Sequence, residues 1–317
     1  MLKNERNEDK KIMNEKKIIA LSKAQSHIGI HTANGITYDT VDLLKANAHN
    51  LVRTCNKKEI DNKNGVKTYI RVNPNKDRNG YIIPSYSEFQ EVMQKLYDDI
   101  GITNFNWNRV DLSFNTMENS FYADYTKLNR LLIACFAKST NDYNTYDTRN
   151  FWTGREKSLA TKNDYRDIEF YDKNDEAQGH SPYYSRLELR SKKMRKDIKT
   201  EFMSLWFERL DNAVKEFEAI QDKFNFHMSE LYLKDMKKPK REREFLSLNS
   251  FLMTRKGYIF TSTQMKKLLM LIGLDENAAR NKAYNFKKNH KIEYFKKEDL
   301  EAIVADIKSK IIEYFSK

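Results

Sequence analysis

Apolar and polar residues alternate along several short runs of this chain, and each such run predicts a β-strand. In Arg109-Val110-Asp111-Leu112-Ser113-Phe114-Asn115, the side chains of Val110, Leu112 and Phe114 fall on one side and those of Arg109, Asp111, Ser113 and Asn115 on the other. The run from Asp167 to Lys173 gathers Asp167, Glu169, Tyr171 and Lys173 on one face, and Arg186-Leu187-Glu188-Leu189-Arg190 gathers Arg186, Glu188 and Arg190. Each strand thus has one apolar face and one carrying acids, bases and a tyrosine. Ile28-Gly29-Ile30 gives a further strand signal, and Lys67 to Val72 reads as a strand ended by Asn73-Pro74, since proline cannot donate to a ladder.

Three-and-four spacing marks the helices. From Thr40 to about Lys57, Val41, Leu43, Leu44, Ala48 and Leu51 recur at near-helical intervals. Ser85 and Glu88 have capping-box spacing ahead of the stripe Phe89, Val92, Met93, Leu96 and Ile100, which Gly101 terminates. Asp124 caps a predicted helix through Leu128, Leu131, Leu132 and Phe136. Beyond Arg190 a long amphipathic helix is predicted, with Phe202, Leu205, Trp206, Leu210, Val214, Phe217 and Ile220 on one stripe. The polar run from Lys234 to Glu244 reads as a basic linker, and Thr261 to Lys317 as three helices with a break at Gly273 and a cap at Asp275. The expected fold class is α+β: an antiparallel sheet with helices on its apolar face and the other face left free, followed by a helical C-terminal domain. The expected boundaries are a disordered tail at 1–17, a sheet domain at 18–195, a long helix and linker at 196–245, and a helical domain at 246–317.

Charge narrows the partners. The chain has 317 residues, with 57 Lys and Arg against 45 Asp and Glu, giving a formal charge of +12 and a pI near 9.3. That balance favours polyanions, although a composition rich in Lys, Asn, Ile and Tyr also follows from AT-rich coding. No apolar run approaches the ~20 residues needed to cross a bilayer, and the first 17 residues lack the apolar core of a signal peptide, so a cytoplasmic protein is expected. Cys55 and Cys135 offer neither a disulfide framework nor zinc-type spacing.

Carboxylates on neighbouring strands suit a hard divalent cation, and a tyrosine beside them suits attack on a phosphodiester. A phenol with an ordinary pKa of about 10 needs electrostatic help from nearby Lys or Arg. The same residues also describe the solvated face of an ordinary antiparallel sheet. Tyr165, Tyr183 and Tyr184 compete with Tyr171 as nucleophile. His27 and His31 lie four apart, share a face in a strand, and read by default as surface or turn residues. Tyr143, Tyr146, Phe151 and Trp152, interleaved with Arg149, Arg155 and Lys157, fit stacking on unpaired bases as well as the start of a core strand. In the C-terminal part, Leu268 to Arg280 has a helix, glycine turn, helix layout. It would present Arg280, Lys282 and Lys287 to a major groove, and a simple helical bundle explains the spacing equally well.

Three blocks in order, Arg71-Val72-Asn73-Pro74-Asn75-Lys76, then Arg109 to Asn115, then Phe170-Tyr171-Asp172-Lys173 with Arg186 to Arg190, resemble the trans-acting plasmid Rep-type rolling-circle replication initiators, to which the MobT-like conjugative relaxases are related. The resemblance covers roughly residues 65 to 195; Asn115 stands where many members carry an acid. It implies a nickase whose nucleophile is Tyr171, with Lys173 and Arg109 at the phosphate. Asp111, Glu188 and, as a third ligand, Glu169 would hold Mg²⁺ or Mn²⁺, and Arg186, Arg190, Arg149 and Trp152 would contact DNA. The implied partners are double-stranded origin DNA, a single-stranded hairpin, a host helicase and a second copy of the chain.

Overall fold

In the computed structural model, the described residues are 27–59, 66–117, 132, 158–162, 165–194, 197–239, 241, 247–254, 262–290 and 297–317. They divide between two compact units. One takes the described residues up to 121, those from 160 to 209 and those from 305 onward; the other takes those from 122 to 159 and from 210 to 304. The chain therefore does not split at 195 and 245: its last thirteen residues return to the first unit instead of closing a separate domain at 246–317. The reason is visible at Tyr314, which is buried and accepts a hydrogen bond from the backbone N–H of Ile30 at 3.4 Å.

The elements of the first unit, in chain order, are β1 (His27–Thr37), α1 (Leu43–Ala48), β2 (Val52–Glu59), β3 (Val66–Val72), α2 (Tyr86–Ile100), β4 (Asn106–Thr116), β5 (Ser158–Lys162), β6 (Arg166–Asp172), α3 (Lys173–Glu176) and β7 (Ser185–Lys192). The helix α4 (Ile198–Lys215) follows. The strands form one sheet in the order β2-β3-β1-β4-β7-β6-β5, and the neighbouring pairs from β2 through β6 are antiparallel. The coarse expectation of an antiparallel α+β fold holds.

Where a cap was predicted, the geometry follows the chemistry. The Ser85 side chain accepts from the Glu88 N–H, and Gly101 ends α2 in the left-handed region at φ 77°. The predicted helix from Thr40 to about Lys57 is shorter: Asp42 caps the six residues of α1, and from Val52 the chain turns into β2. Asn47 explains the break, because its side chain bonds the N–H and C=O of Cys55 and pins the helix to the following strand. The helix expected after Asp124 and the aromatic cluster with Arg149 and Trp152 lie outside the described residues, apart from Leu132.

The apolar side of the sheet is core: Ile30, Ala33, Ile70, Val72, Val110, Leu112, Phe114, Ile168, Phe170, Leu187 and Leu189 are buried. Trp206 of α4 is buried and donates from Nε1 to Ser191 Oγ at 2.9 Å, while Arg166 reaches the Leu205 carbonyl at 2.8 Å. Burying an indole of this size while pairing its N–H fixes α4 to β7.

In the second unit the predicted long helix breaks at Glu216 and continues as α5 (Phe217–Met236), which takes in the first three residues of the expected linker. Then come α6 (Leu248–Thr254), α7 (Ser262–Leu271), α8 (Glu276–His290) and α9 (Lys297–Ser316), whose second half belongs to the first unit. Gly273, at φ 104°, makes the turn between α7 and α8, and Asp275 accepts from the Ala278 N–H at 2.9 Å. Among the described residues, no helix is long and apolar enough to cross a membrane.

Candidate functional site

Register decides which polar side chains meet. Tyr171 of β6 lies opposite Arg186 of β7, which lies opposite Asn115 of β4; Glu169 lies opposite Glu188, and Glu188 opposite Ser113; Asp167 lies opposite Arg190, and Arg190 opposite Asp111. The three runs singled out by alternation therefore form adjacent strands, and their polar faces coincide.

Glu188 is the centre. It is 1% exposed, and its Oε1 accepts the Tyr171 hydroxyl at 2.7 Å while Nδ1 of His31 stands 3.4 Å away. Its Oε2 accepts from Arg190 Nε at 2.9 Å and Nη2 at 2.5 Å. Burial alone would raise its pKa, but His31, Arg190, Arg186 and the Tyr171 hydrogen bond outweigh that and hold the carboxyl at about 2. Tyr171, 8% exposed, is pushed the other way: burial, then the Glu188 charge, raise its phenol well above the ordinary value. Burial and then the charge of Arg186 lower the His31 pKa well below the usual histidine range, with the Glu188 charge opposing them.

Arg186 is 2% exposed. Its Nε donates to Asn115 Oδ1 at 2.5 Å, and its Nη1, 3.6 Å from Glu188 Oε1, is buried without a hydrogen-bond partner. Asn115, where the resemblance leads one to expect an acid, thus positions a guanidinium. Lys173, the first residue of α3, pairs with Glu176 and stands 6.0 Å from the Tyr171 ring; burial, then Arg186, lower its pKa. Arg190 also pairs with Glu169 and lies 3.8 Å from Asp111 Oδ2, so one guanidinium bridges the three carboxylates Asp111, Glu169 and Glu188. Arg109 grips Asp111 with two bonds, from Nε at 2.8 Å and Nη2 at 2.7 Å. Burial nevertheless raises the Asp111 pKa, with the Arg109 hydrogen bond opposing it.

Two expectations change here. The polar face is not open along its whole length: Tyr171, Arg186, Glu188 and Asn115 are buried, whereas Arg71 and Arg53 are exposed. At Gly29, opposite Ser113, an added Cβ would sit 2.3 Å from the Ile83 carbonyl oxygen, so only glycine admits the 82–83 backbone there. The second change is His31. His31, two residues after Gly29, keeps to the polar face and stands 3.4 Å from Glu188, and the ladder shift between Ile30 and Thr32 brings Thr32 to that face opposite Asp111, with its Oγ1 3.1 Å from His31 Nδ1. His27 instead packs against Tyr183 at 5.4 Å, so the two histidines have separate environments.

Among the rival tyrosines, Tyr183 is buried and accepts from the Ile82 N–H at 3.2 Å, while Tyr165 and Tyr184 are exposed. Only Tyr171, of the four, bonds Glu188. As they stand, no three His, Cys, Asp or Glu side chains among the described residues form a metal-binding group.

In the second unit, Ala279, Ala283 and Phe286 are the buried stripe of α8, and Arg280 and Lys287 are exposed while Lys282 is half-buried. Arg280 Nη2 lies 3.7 Å from Glu276 Oε1. No protein-family model matches this chain, and neither does any curated protein.

Proposed function

We propose that the chain is a tyrosine-dependent DNA nickase that initiates rolling-circle replication of a plasmid, cutting one strand at its origin. The observation that carries this reading is the Tyr171 hydroxyl bonded to buried, ionised Glu188, with Arg186 Nη1 lacking a hydrogen-bond partner beside them. That nitrogen is held 3.6 Å from Glu188 by charge but donates no hydrogen bond, and a phosphate oxygen is a matching acceptor for the donor it has to spare.

In this reading Tyr171 Oη attacks phosphorus. The Oη–P bond forms as the P–O3′ bond breaks, giving a 5′-phosphotyrosine and a free 3′-hydroxyl. Glu188 aims the phenol through its hydrogen bond, the phenol proton leaves to solvent water, and the departing 3′ oxygen takes a proton from Lys173, whose lowered pKa makes it the better donor. Arg186 receives the charge that develops on the phosphate oxygens, whereas Arg109, three rows along the strands from Tyr171 and bonded to Asp111, does not reach them. Asp111, Glu188 and Glu169 are hard oxygen donors on adjacent strands and would hold Mg²⁺ or Mn²⁺, which competes with the Arg190 guanidinium for the same carboxylates. Such an ion supplies Lewis-acid polarisation of the phosphate. Arg280, Lys282 and Lys287 on α8 would contact origin duplex.

The same chemistry serves a conjugative relaxase acting on a transfer origin. A second reading, a non-catalytic DNA-binding regulator, is favoured by one observation: Arg109 and Arg190 already satisfy the carboxylates, as in a purely structural ion-pair network. Supercoiled plasmid carrying the chain's own locus separates the two. The nickase reading expects open circles with Mn²⁺ or Mg²⁺, none with chelator, and none from Tyr171→Phe, which still binds duplex. Duplex binding without cutting under all these conditions supports the regulator.

A further inference from the structure

One row of side chains runs straight across five strands. Thr54 of β2 is opposite Arg71 of β3, Arg71 opposite Asn34 of β1, Asn34 opposite Arg109 of β4, and Arg109 opposite Lys192 of β7. The β2 ladder shifts between Val52 and Thr54, which leaves Arg53 bulged beside the same row. Four inter-strand steps span ~19 Å. The row lies two rows from Glu188, or ~13 Å along the strands.

Its charges are unevenly matched. At the β4 and β7 end, Arg109 is paired with Asp111 and Lys192 with Asp167 at 2.7 Å. At the other end, Arg53 and Arg71 are exposed and have no ion pair among the described residues. Burial, then the neighbouring charges of Arg53 and Arg109, lower the Arg71 pKa, so the guanidiniums crowd one another. Between them Asn34 Oδ1 is buried without a hydrogen-bond partner. Two residues from Arg71 on the same face, Tyr69 is 38% exposed, and beyond it Lys67 Nζ stands 5.6 Å over the ring of exposed Tyr38.

We infer that this row is a binding track for single-stranded DNA, with Arg53 and Arg71 taking the phosphate backbone and Tyr69 stacking on a base. Like charges held together oppose folding, and a polyanion laid across them relieves that repulsion. A duplex has no unstacked base for Tyr69, whereas a single strand does. The inference rests on the nickase reading only for direction: the track leads away from Tyr171 and would hold the strand flanking the cut.

The test is fluorescence anisotropy of labelled dT20 with the full chain, comparing wild type, Arg53→Gln/Arg71→Gln and Arg53→Lys/Arg71→Lys across a salt series. Each single-strand phosphate contact contributes about 0.7 to the salt slope, so the Gln pair should lower the slope by about 1.4 and weaken binding about 25-fold at 0.1 M salt. The Lys pair should recover most of it, which a misfolded variant would not. Tyr69→Ala should weaken dT20 binding and leave binding of a 20-base-pair duplex unchanged. Unchanged affinity and slope in the Gln pair would overturn the track, as would equal losses on duplex and single strand. Absence of nicking by wild type, with these binding changes intact, would overturn the nickase reading alone.

Discussion

Replacing Glu188 with Gln removes one charge from the centre of the site and tests the electrostatics directly. The Glu188 carboxyl is held at about 2 against an ordinary 4.5, a gap equivalent to about 3 kcal/mol of folding stability, as an order of magnitude. Because the folded value is depressed, that contribution is fully present above about pH 4.5 and is lost as pH falls toward 2, with about 2 kcal/mol gone by pH 3. In Glu188→Gln the contribution is missing at every pH. Arg186 then retains Asn115, and Arg190 retains Glu169. Urea unfolding of both proteins with chelator present, at pH 7 and pH 3, gives two stability differences. The variant should be about 3 kcal/mol less stable at pH 7, and the deficit should shrink by about 2 kcal/mol at pH 3. A deficit of constant size would refute the argument, since it would place the loss in packing and not in ionisation.

Gly29→Ala should cost about 1–3 kcal/mol, read as a fall in the urea midpoint, because the new methyl meets backbone and not a movable side-chain end. Arg280→Ala with Lys287→Ala should lower the salt slope of origin-duplex binding by about 1.8 and leave dT20 binding unchanged; an unaltered duplex slope removes α8 from the interface.

Much of the site was legible because strand parity is a local property. Alternation alone put Asp111, Glu169, Tyr171, Arg186, Glu188 and Arg190 on polar faces, and the fold brings β4, β7 and β6 side by side. What the sequence did not carry was non-local. Nothing in His27 to Thr37 says that this strand pairs with β4, so His31 read as a surface residue although it stands 3.4 Å from Glu188. Arg53 and Arg71 fall in separate segments, and only the order β2-β3-β1-β4 aligns them with Asn34 and Arg109. The burial of Tyr171 likewise escaped local reading, since alternation gives the side a residue faces but not what covers it. In α1, apolar spacing continued past the true helix end because Asn47 exchanges hydrogen bonds with Cys55, eight residues on.

The most direct measurement is the chemical identity of the protein–DNA junction. Wild-type protein is incubated with Mn²⁺ and a 5′-extended single-stranded oligonucleotide spanning the origin nick, digested with trypsin and nuclease, and analysed by mass spectrometry. The account predicts a nucleotide joined through its 5′ phosphate to Tyr171. An adduct on Tyr165, Tyr183 or Tyr184, or cleavage with no adduct at all, would contradict it.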